Sequence, residues 1–157
     1  MMKRLIFTLM LLLGLTQTAA AATTNPIFER HVNAPIDQVF PKLVKSFTQH
    51  GLAVILQTDM ESILKHQNAQ AEKPELPVPA THVRSIVFCN AASVSRIFKL
   101  DPRMLAFCPM TVNVSERNGV TSVRFFRPTS IETETKARPE LESLEKRITT
   151  SINAALK

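Results

Sequence analysis

The sequence has little of several residue types that binding and catalysis commonly require. It contains no tryptophan or tyrosine, and only three glycines, two cysteines and four histidines among 157 residues. Only Gly51 and Gly119 lie beyond the amino-terminal apolar segment, so no glycine-rich loop exists to cradle a phosphate. The absence of this loop excludes P-loop nucleotide hydrolases and domains with the dinucleotide-binding fingerprint.

Charge and aromatic content argue against a nucleic-acid partner. The 19 basic and 13 acidic residues leave a formal charge of +6, and removal of Lys3 and Arg4 lowers it to +4. Tryptophan and tyrosine, on which the bases of single-stranded nucleic acid stack best, are missing. No run of adjacent Lys and Arg residues marks a polybasic membrane anchor. We therefore expect no nucleic-acid partner and no stable membrane anchor.

The amino terminus, "MMKRLIFTLMLLLGLTQTAAAATT", has the pattern of a secretory signal peptide. Two basic residues precede an apolar run of about 11 residues, which is well short of the ~20 that a membrane-spanning helix needs. An A-x-A pattern then predicts cleavage near Ala21 or Ala22. We expect residues 1–22 to be the signal peptide, residues 23–157 to form a single α+β domain, and the mature protein to be periplasmic or secreted.

Hydrophobic periodicity predicts two principal helices and several strands. The first half of the chain is predicted to contain a strand at residues 27–32, a helix from residue 36 that Gly51 terminates, a buried strand at 52–58 and a short helical turn around "MESILKHQN". A strand at 82–89 and a short helix, capped by Asn90 and stopped by Asp101–Pro102, follow. The final helix has Leu141, Leu144, Ile148, Ile152 and Ala155 on one face. Pro41 predicts a kink or a later start in the first helix.

The strongest local signal is "MTVNVSERNGVTSVRFFRP", where Asn118–Gly119 is the preferred pair for a two-residue hairpin turn. That turn places Val114 opposite Val123 and Val112 opposite Phe125 on a core face, with a mostly polar face behind. The expected fold is a mainly antiparallel sheet of four to five strands with two principal helices packed on one face, in the order β-α-β-β-β-β-α, plus a short helix between Cys89 and Cys108. The proline-rich segment at residues 69–81 is predicted to be a long loop, which is either a solvated excursion or a lid or partner-binding segment.

Catalytic and metal-binding patterns are missing. No G-x-S-x-G elbow is present, and the histidines at positions 31, 50, 66 and 82 lack the i, i+4 spacing of a zinc helix and are distant in sequence from either cysteine. Methionines 60, 104 and 110 are dispersed and read as packing residues. We predict no catalytic residues and no metal site, and the cofactor stays undefined.

The two cysteines carry the remaining chemistry. Their separation of 19 positions is not the C-x-x-C of a thioredoxin-like catalyst. If the strands that end at Cys89 and begin at Cys108 are antiparallel neighbours, the two thiols can meet. Three readings stay open: a structural disulfide, two reduced cysteines that act as small hydrophobes, and a redox, haem or metal role.

The segment "IVFCNAASVSRIFKLDPRMLAFCPMTVNVSERNGVTSVRFFRP" resembles the central block of the bacterial domain-of-unknown-function family 302. Cys89–Asn90, Asp101–Pro102, Pro109 and the hairpin up to Pro128 match its pattern, whereas Ala91 and the order Cys108–Pro109 depart from it. The resemblance implies a fold similar to that of the TATA-binding protein, often dimeric, and it brings no agreed activity.

Two functions from different classes follow. The first is an exported, non-enzymatic binding or accessory domain for an unknown small ligand or periplasmic protein, with Asn90 and Pro109 as candidate site-lining residues. The alternative is a thiol-based redox, sulfur- or metal-handling protein that uses Cys89 and Cys108.

Overall fold

The structure is a computed structural model that describes residues 25–68, 82–131 and 134–157. In chain order its elements are β1 (Ile27–Val32), α1 (Ile36–Gln49), β2 (Ala53–Asp59), α2 (Met60–Asn68), β3 (His82–Cys89), α3 (Ala91–Leu100), a 3₁₀ helix (Pro102–Phe107), β4 (Met110–Arg117), β5 (Val120–Phe126), α4 (Pro128–Ile131) and α5 (Arg138–Ala155). The predicted α+β class and strand-helix order are confirmed. The predicted loop at residues 69–81 lies outside the described residues.

The five strands form one antiparallel sheet in the order β1-β5-β4-β3-β2. β4 and β5 make the predicted hairpin, with Val114 opposite Val123 and positive φ values of 52° at Asn118 and 76° at Gly119. Among the described strands, β1 and β2 are the two edge strands of the sheet.

The two long helices, α1 and α5, cover one face of this sheet. The Ser46 hydroxyl on α1 donates a hydrogen bond to the Ser151 carbonyl on α5 at 2.7 Å, and Phe47 packs edge-on against Phe88 of β3 with ring centroids 5.0 Å apart. The core between the layers includes Ile36, Leu43, Ile86, Val112, Val114, Val123, Leu141, Ile148 and Ile152. The predicted apolar face of α5 is confirmed, because all five of its predicted residues are buried.

The other face of the sheet is mostly polar, as predicted. Ser85 donates to the Asn113 side chain at 2.7 Å, and Arg124 bonds to Ser115 and pairs with Glu29. Phe126, with 64% of its surface exposed, and Ile27, which lies opposite it and is 38% exposed, are apolar exceptions there.

Two details differ from the sequence-based expectation. The strand predicted as buried at residues 52–58 is β2, which among the described strands pairs with β3 alone. Its Ile55 and Leu56 are 59% and 52% exposed. A register shift, typical of a β-bulge, interrupts the pairing between Val54 and Leu56. Helix α1 begins at Ile36 and continues through Pro41, so the proline does not delay its start.

Among the described residues, no helix is long and apolar enough to cross a membrane.

Candidate functional site

The two cysteines meet where β3 and β4 pair. Phe88 lies opposite Met110 in the antiparallel register, so the end of β3 and the beginning of β4 are neighbours at one end of the sheet. Between them the chain makes an arch, consisting of α3 and the 3₁₀ helix, and then returns. The Sγ atoms of Cys89 and Cys108 are consequently 2.9 Å apart, and both residues are half-buried, free cysteines.

Burial sets the chemistry of the second thiol. Desolvation, together with the hydrogen bond to Cys89 and the interaction with its charge, raises the pKa of Cys108 from 9.0 to about 11. The thiolate is the nucleophile and the metal ligand, whereas the thiol is inert. Cys108 is therefore protonated near neutral pH and reacts only when a partner atom or ion displaces its proton.

Asn90 links the arch to the helix layer. Its Oδ1 accepts a hydrogen bond from the Ser93 amide at 2.8 Å and so caps α3, as predicted. Its Nδ2 donates to the Gly51 carbonyl at 2.7 Å, directly after α1. Both ends of the amide are thus engaged, and they hold the start of α3, beside Cys89, in a defined position.

The middle of the arch, where α3 ends and the 3₁₀ helix begins, is anchored by Asp101. This carboxylate, 8% exposed, accepts hydrogen bonds from the Arg103 guanidinium at 2.7 and 3.0 Å and from the Thr135 hydroxyl at 2.8 Å. These bonds, Arg103 first, hold the pKa of Asp101 well below its usual range. The 3₁₀ helix is consequently fixed to the segment that leads into α5.

Beneath the arch lies a narrow apolar crevice with a cavity volume of about 20 Å³. That volume has room for about one water molecule. Its wall comes from β3, the arch, the start of β4, α4 and α5. It consists of Phe88, Cys89, Asn90, Val94, Ile97, Phe98, Met104, Phe107, Cys108, Met110, Pro128, Leu141 and Leu144. Pro109, a candidate site residue from the sequence, is exposed and is not part of this wall.

The sequence reading missed the convergence of sulfur atoms in this wall. Met104 on the 3₁₀ helix and Met110 at the start of β4 both line the crevice beside the two cysteines, whereas Met60 belongs to α2 and does not. Their spacing along the chain shows no motif. The one available signal was the β3–β4 register, because pairing Met110 with Phe88 places it next to Cys89.

Three of the four histidines are engaged elsewhere. His31 bonds to the Ser122 hydroxyl, His50 to the Ser46 carbonyl, and His82 to Glu61, at distances of 2.7 to 2.8 Å. Within residues 25–68, 82–131 and 134–157, no three or more His, Cys, Asp or Glu side chains form a metal-binding group.

A five-stranded antiparallel sheet with two long helices on one face, and an arch between adjacent strands, defines a small α+β domain. The chain matches the model of the family described as domain of unknown function DUF302 over residues 28–157, and it belongs to that family. The predicted resemblance is confirmed.

A solved structure supports the same fold. The chain is similar to an uncharacterized conserved DUF302 protein from Bacillus stearothermophilus, with a TM-score of 0.72 over 84% of this chain and 99% of the other at 17% identity. No match was found among the curated proteins. The family and the fold of this chain are thus established.

Replacing Asn90 should destabilise the arch, and two different substitutions separate the contributions of its two hydrogen bonds. Asn90→Ala removes both the cap and the bond to Gly51, and we expect the free energy of unfolding to fall by about 2 kcal/mol. Asn90→Asp keeps the capping acceptor and loses the donor, so about half of that loss should remain. Urea denaturation measures the free energy of unfolding of both variants. The control is Asn33→Ala, at an exposed position, whose free energy of unfolding should stay within about 0.5 kcal/mol of that of the wild type. Equal stabilities of Asn90→Ala and wild type would contradict the assignment.

The pKa of Cys108 predicts a steep pH dependence in alkali. Because the folded-state pKa lies above 9.0, folding favours the protonated thiol. Its contribution to stability is complete below pH 9 and is lost as the pH rises through about 11. Iodoacetamide should modify Cys108 with a midpoint near pH 11. Cys89→Ala should lower the midpoint, because the neighbouring sulfur is gone while the burial remains. Peptide mapping after short exposures to iodoacetamide measures the pH midpoint of Cys108 modification. A wild-type midpoint at or below pH 9 would refute the raised pKa of Cys108.

Proposed function

We propose that this protein is an exported, non-enzymatic binding or accessory domain whose ligand site is the crevice beneath the arch. The observation that carries the proposal is the placement of both thiols in the wall of an apolar crevice that the arch closes. Besides the two thiols, the wall has few polar groups that could act on a substrate, so we infer that the site holds a ligand and does not transform one.

Export is supported by the amino-terminal pattern and by the extent of the family match. The two basic residues, the apolar run and the A-x-A pattern precede the predicted cleavage near Ala21 or Ala22. The match to the family begins at residue 28, downstream of that position. We therefore assign residues 1–22 to the signal peptide and residues 23–157 to the binding domain.

A residue that fills the crevice should abolish binding. Val94→Phe places extra volume in the crevice wall, whereas Val44→Phe, the matched control, alters a half-buried valine of α1 outside it. The protein purified from the periplasm is tested by thermal shift against metal ions, haem and lipids. A ligand at one hundred times its Kd stabilises by about 2.7 kcal/mol, and Val94→Phe alone should lose this shift. The proposal fails if no compound shifts the melting temperature, or if Val94→Phe responds as wild type does.

A thiol-based redox function is the second candidate, because the two sulfur atoms are only 2.9 Å apart. Oxidation would join Sγ to Sγ and release two protons and two electrons to an acceptor such as glutathione disulfide. Closing a loop of this size stabilises a fold by about 3 kcal/mol in the chain-entropy model. The same bond can serve as a permanent structural disulfide or as a disulfide that forms and breaks reversibly.

The reduction potential separates these two uses. A structural disulfide has a potential below about −300 mV, whereas a reversible one lies above that value. We expect the redox function to give the higher potential in glutathione buffers, and Cys89→Ser to abolish the couple while the fold stays intact. Two free thiols in non-reducing mass spectrometry of periplasmic protein would exclude a constitutive disulfide. A large loss of stability in Cys89→Ser would favour a structural disulfide.

A further inference from the structure

We propose that the crevice, in its reduced state, binds one soft monovalent metal ion of the Cu(I) class through the Cys89 and Cys108 sulfurs. Met104 and Met110 supply additional thioether contacts. This inference rests on the proposed function, because it names the ligand class of the same crevice.

Four sulfur-bearing side chains converge on this site from different elements. Cys89 ends β3, Met104 lies on the 3₁₀ helix, Cys108 follows that helix, and Met110 begins β4. All four line the crevice, and Met104 is 4% exposed. The chain has only six methionines and two cysteines, so half of its sulfur atoms lie in one wall.

The donor atoms favour a soft ion. Thiolate and thioether ligands select Cu(I), whereas carboxylates, carbonyls and water suit Mg²⁺ and Ca²⁺. Asn90 is the one polar residue among the wall residues besides the cysteines, and both ends of its amide are already bonded, to the Ser93 amide and the Gly51 carbonyl. An ion in the crevice therefore meets sulfur and hydrocarbon, and hard cations lack ligands there.

The dimensions fit a bare ion better than an organic molecule. The cavity volume of about 20 Å³ is far below the several hundred Å³ of a typical small-molecule pocket. Metal–sulfur bonds of about 2.3 Å allow two sulfur atoms on opposite sides of an ion to lie about 4.6 Å apart. The ion therefore binds by separating the two sulfur atoms, which are 2.9 Å apart without it.

The charge balance is also favourable. Binding converts two thiols into thiolates, releases two protons to water and leaves a net charge of −1 on the complex, with no change of oxidation state. Helix α3 begins at Ala91, two residues after Cys89, and its ten residues direct a partial positive charge toward that end. The neighbouring helix terminus thus offsets the negative charge of the complex.

The test uses the reduced full-length mature protein under anaerobic conditions. It is titrated with Ag⁺, which is redox-inert, and with Cu(I) in competition with a coloured chelator. We expect one ion per chain. Cys89→Ser and Cys108→Ser should each weaken binding by at least about 100-fold, and Met104→Leu and Met110→Leu by about tenfold each. Met60→Leu, which lies outside the crevice, is the matched control and should bind as wild type does.

Folding and coordination are checked independently. Met→Leu changes conserve volume, so circular dichroism melts should show these variants folded. X-ray absorption at the copper edge should show a shell of sulfur neighbours only. Nitrogen or oxygen neighbours, undiminished binding in Cys108→Ser, equal affinity for Zn²⁺, or no binding by the folded reduced protein would each overturn the inference. If no metal binds but another compound gives a shift that Val94→Phe removes, the metal inference fails while the proposed binding function stands.

Discussion

The antiparallel pairing of β3 with β4 is the constraint on which the rest of the site depends. Because Phe88 lies opposite Met110, the last residue of β3 and the residues just before β4 share one end of the sheet. The 20 residues between the two strands must leave and return to nearly the same place, and they can do so only as an arch. The contact between Cys89 and Cys108 and the crevice beneath the arch both follow from that register.

The arch keeps its shape because its beginning and its middle are fixed by different chemistry. At the beginning, Asn90 uses a neutral amide to join the cap of α3 to the carbonyl of Gly51. In the middle, where α3 meets the 3₁₀ helix, the ionised carboxylate of Asp101 bonds to Thr135, shortly before α5. Both anchors connect the arch to the helix layer and leave the apolar side chains of the arch to form part of the crevice wall. The site is therefore part of the domain's framework and does not rest on a free loop.

Much of this fold could be predicted from the sequence, because its signals are local. The Asn118–Gly119 turn, the Asn90 cap and the spacing of apolar residues in α5 each act within a few neighbouring residues, and each prediction is confirmed. The apolar run that follows Leu52 is predicted to be buried, yet Ile55 and Leu56 are exposed, because hydrophobicity does not reveal whether a strand has one neighbour or two. The crevice needed the register between distant strands. The sequence could state only the condition for the cysteines to meet, and it showed nothing of Met104 and Met110.

The interrupted pairing of β2 has a consequence for how this protein behaves among its own copies. A long, flat, apolar edge strand is a template on which another chain can add a strand. β2 has apolar residues on such an edge, yet the register shift between Val54 and Leu56 breaks the even spacing of its backbone groups. An incoming strand could match only one side of that break at a time. The irregularity thus guards against sheet-to-sheet aggregation while leaving Ile55 and Leu56 in contact with solvent.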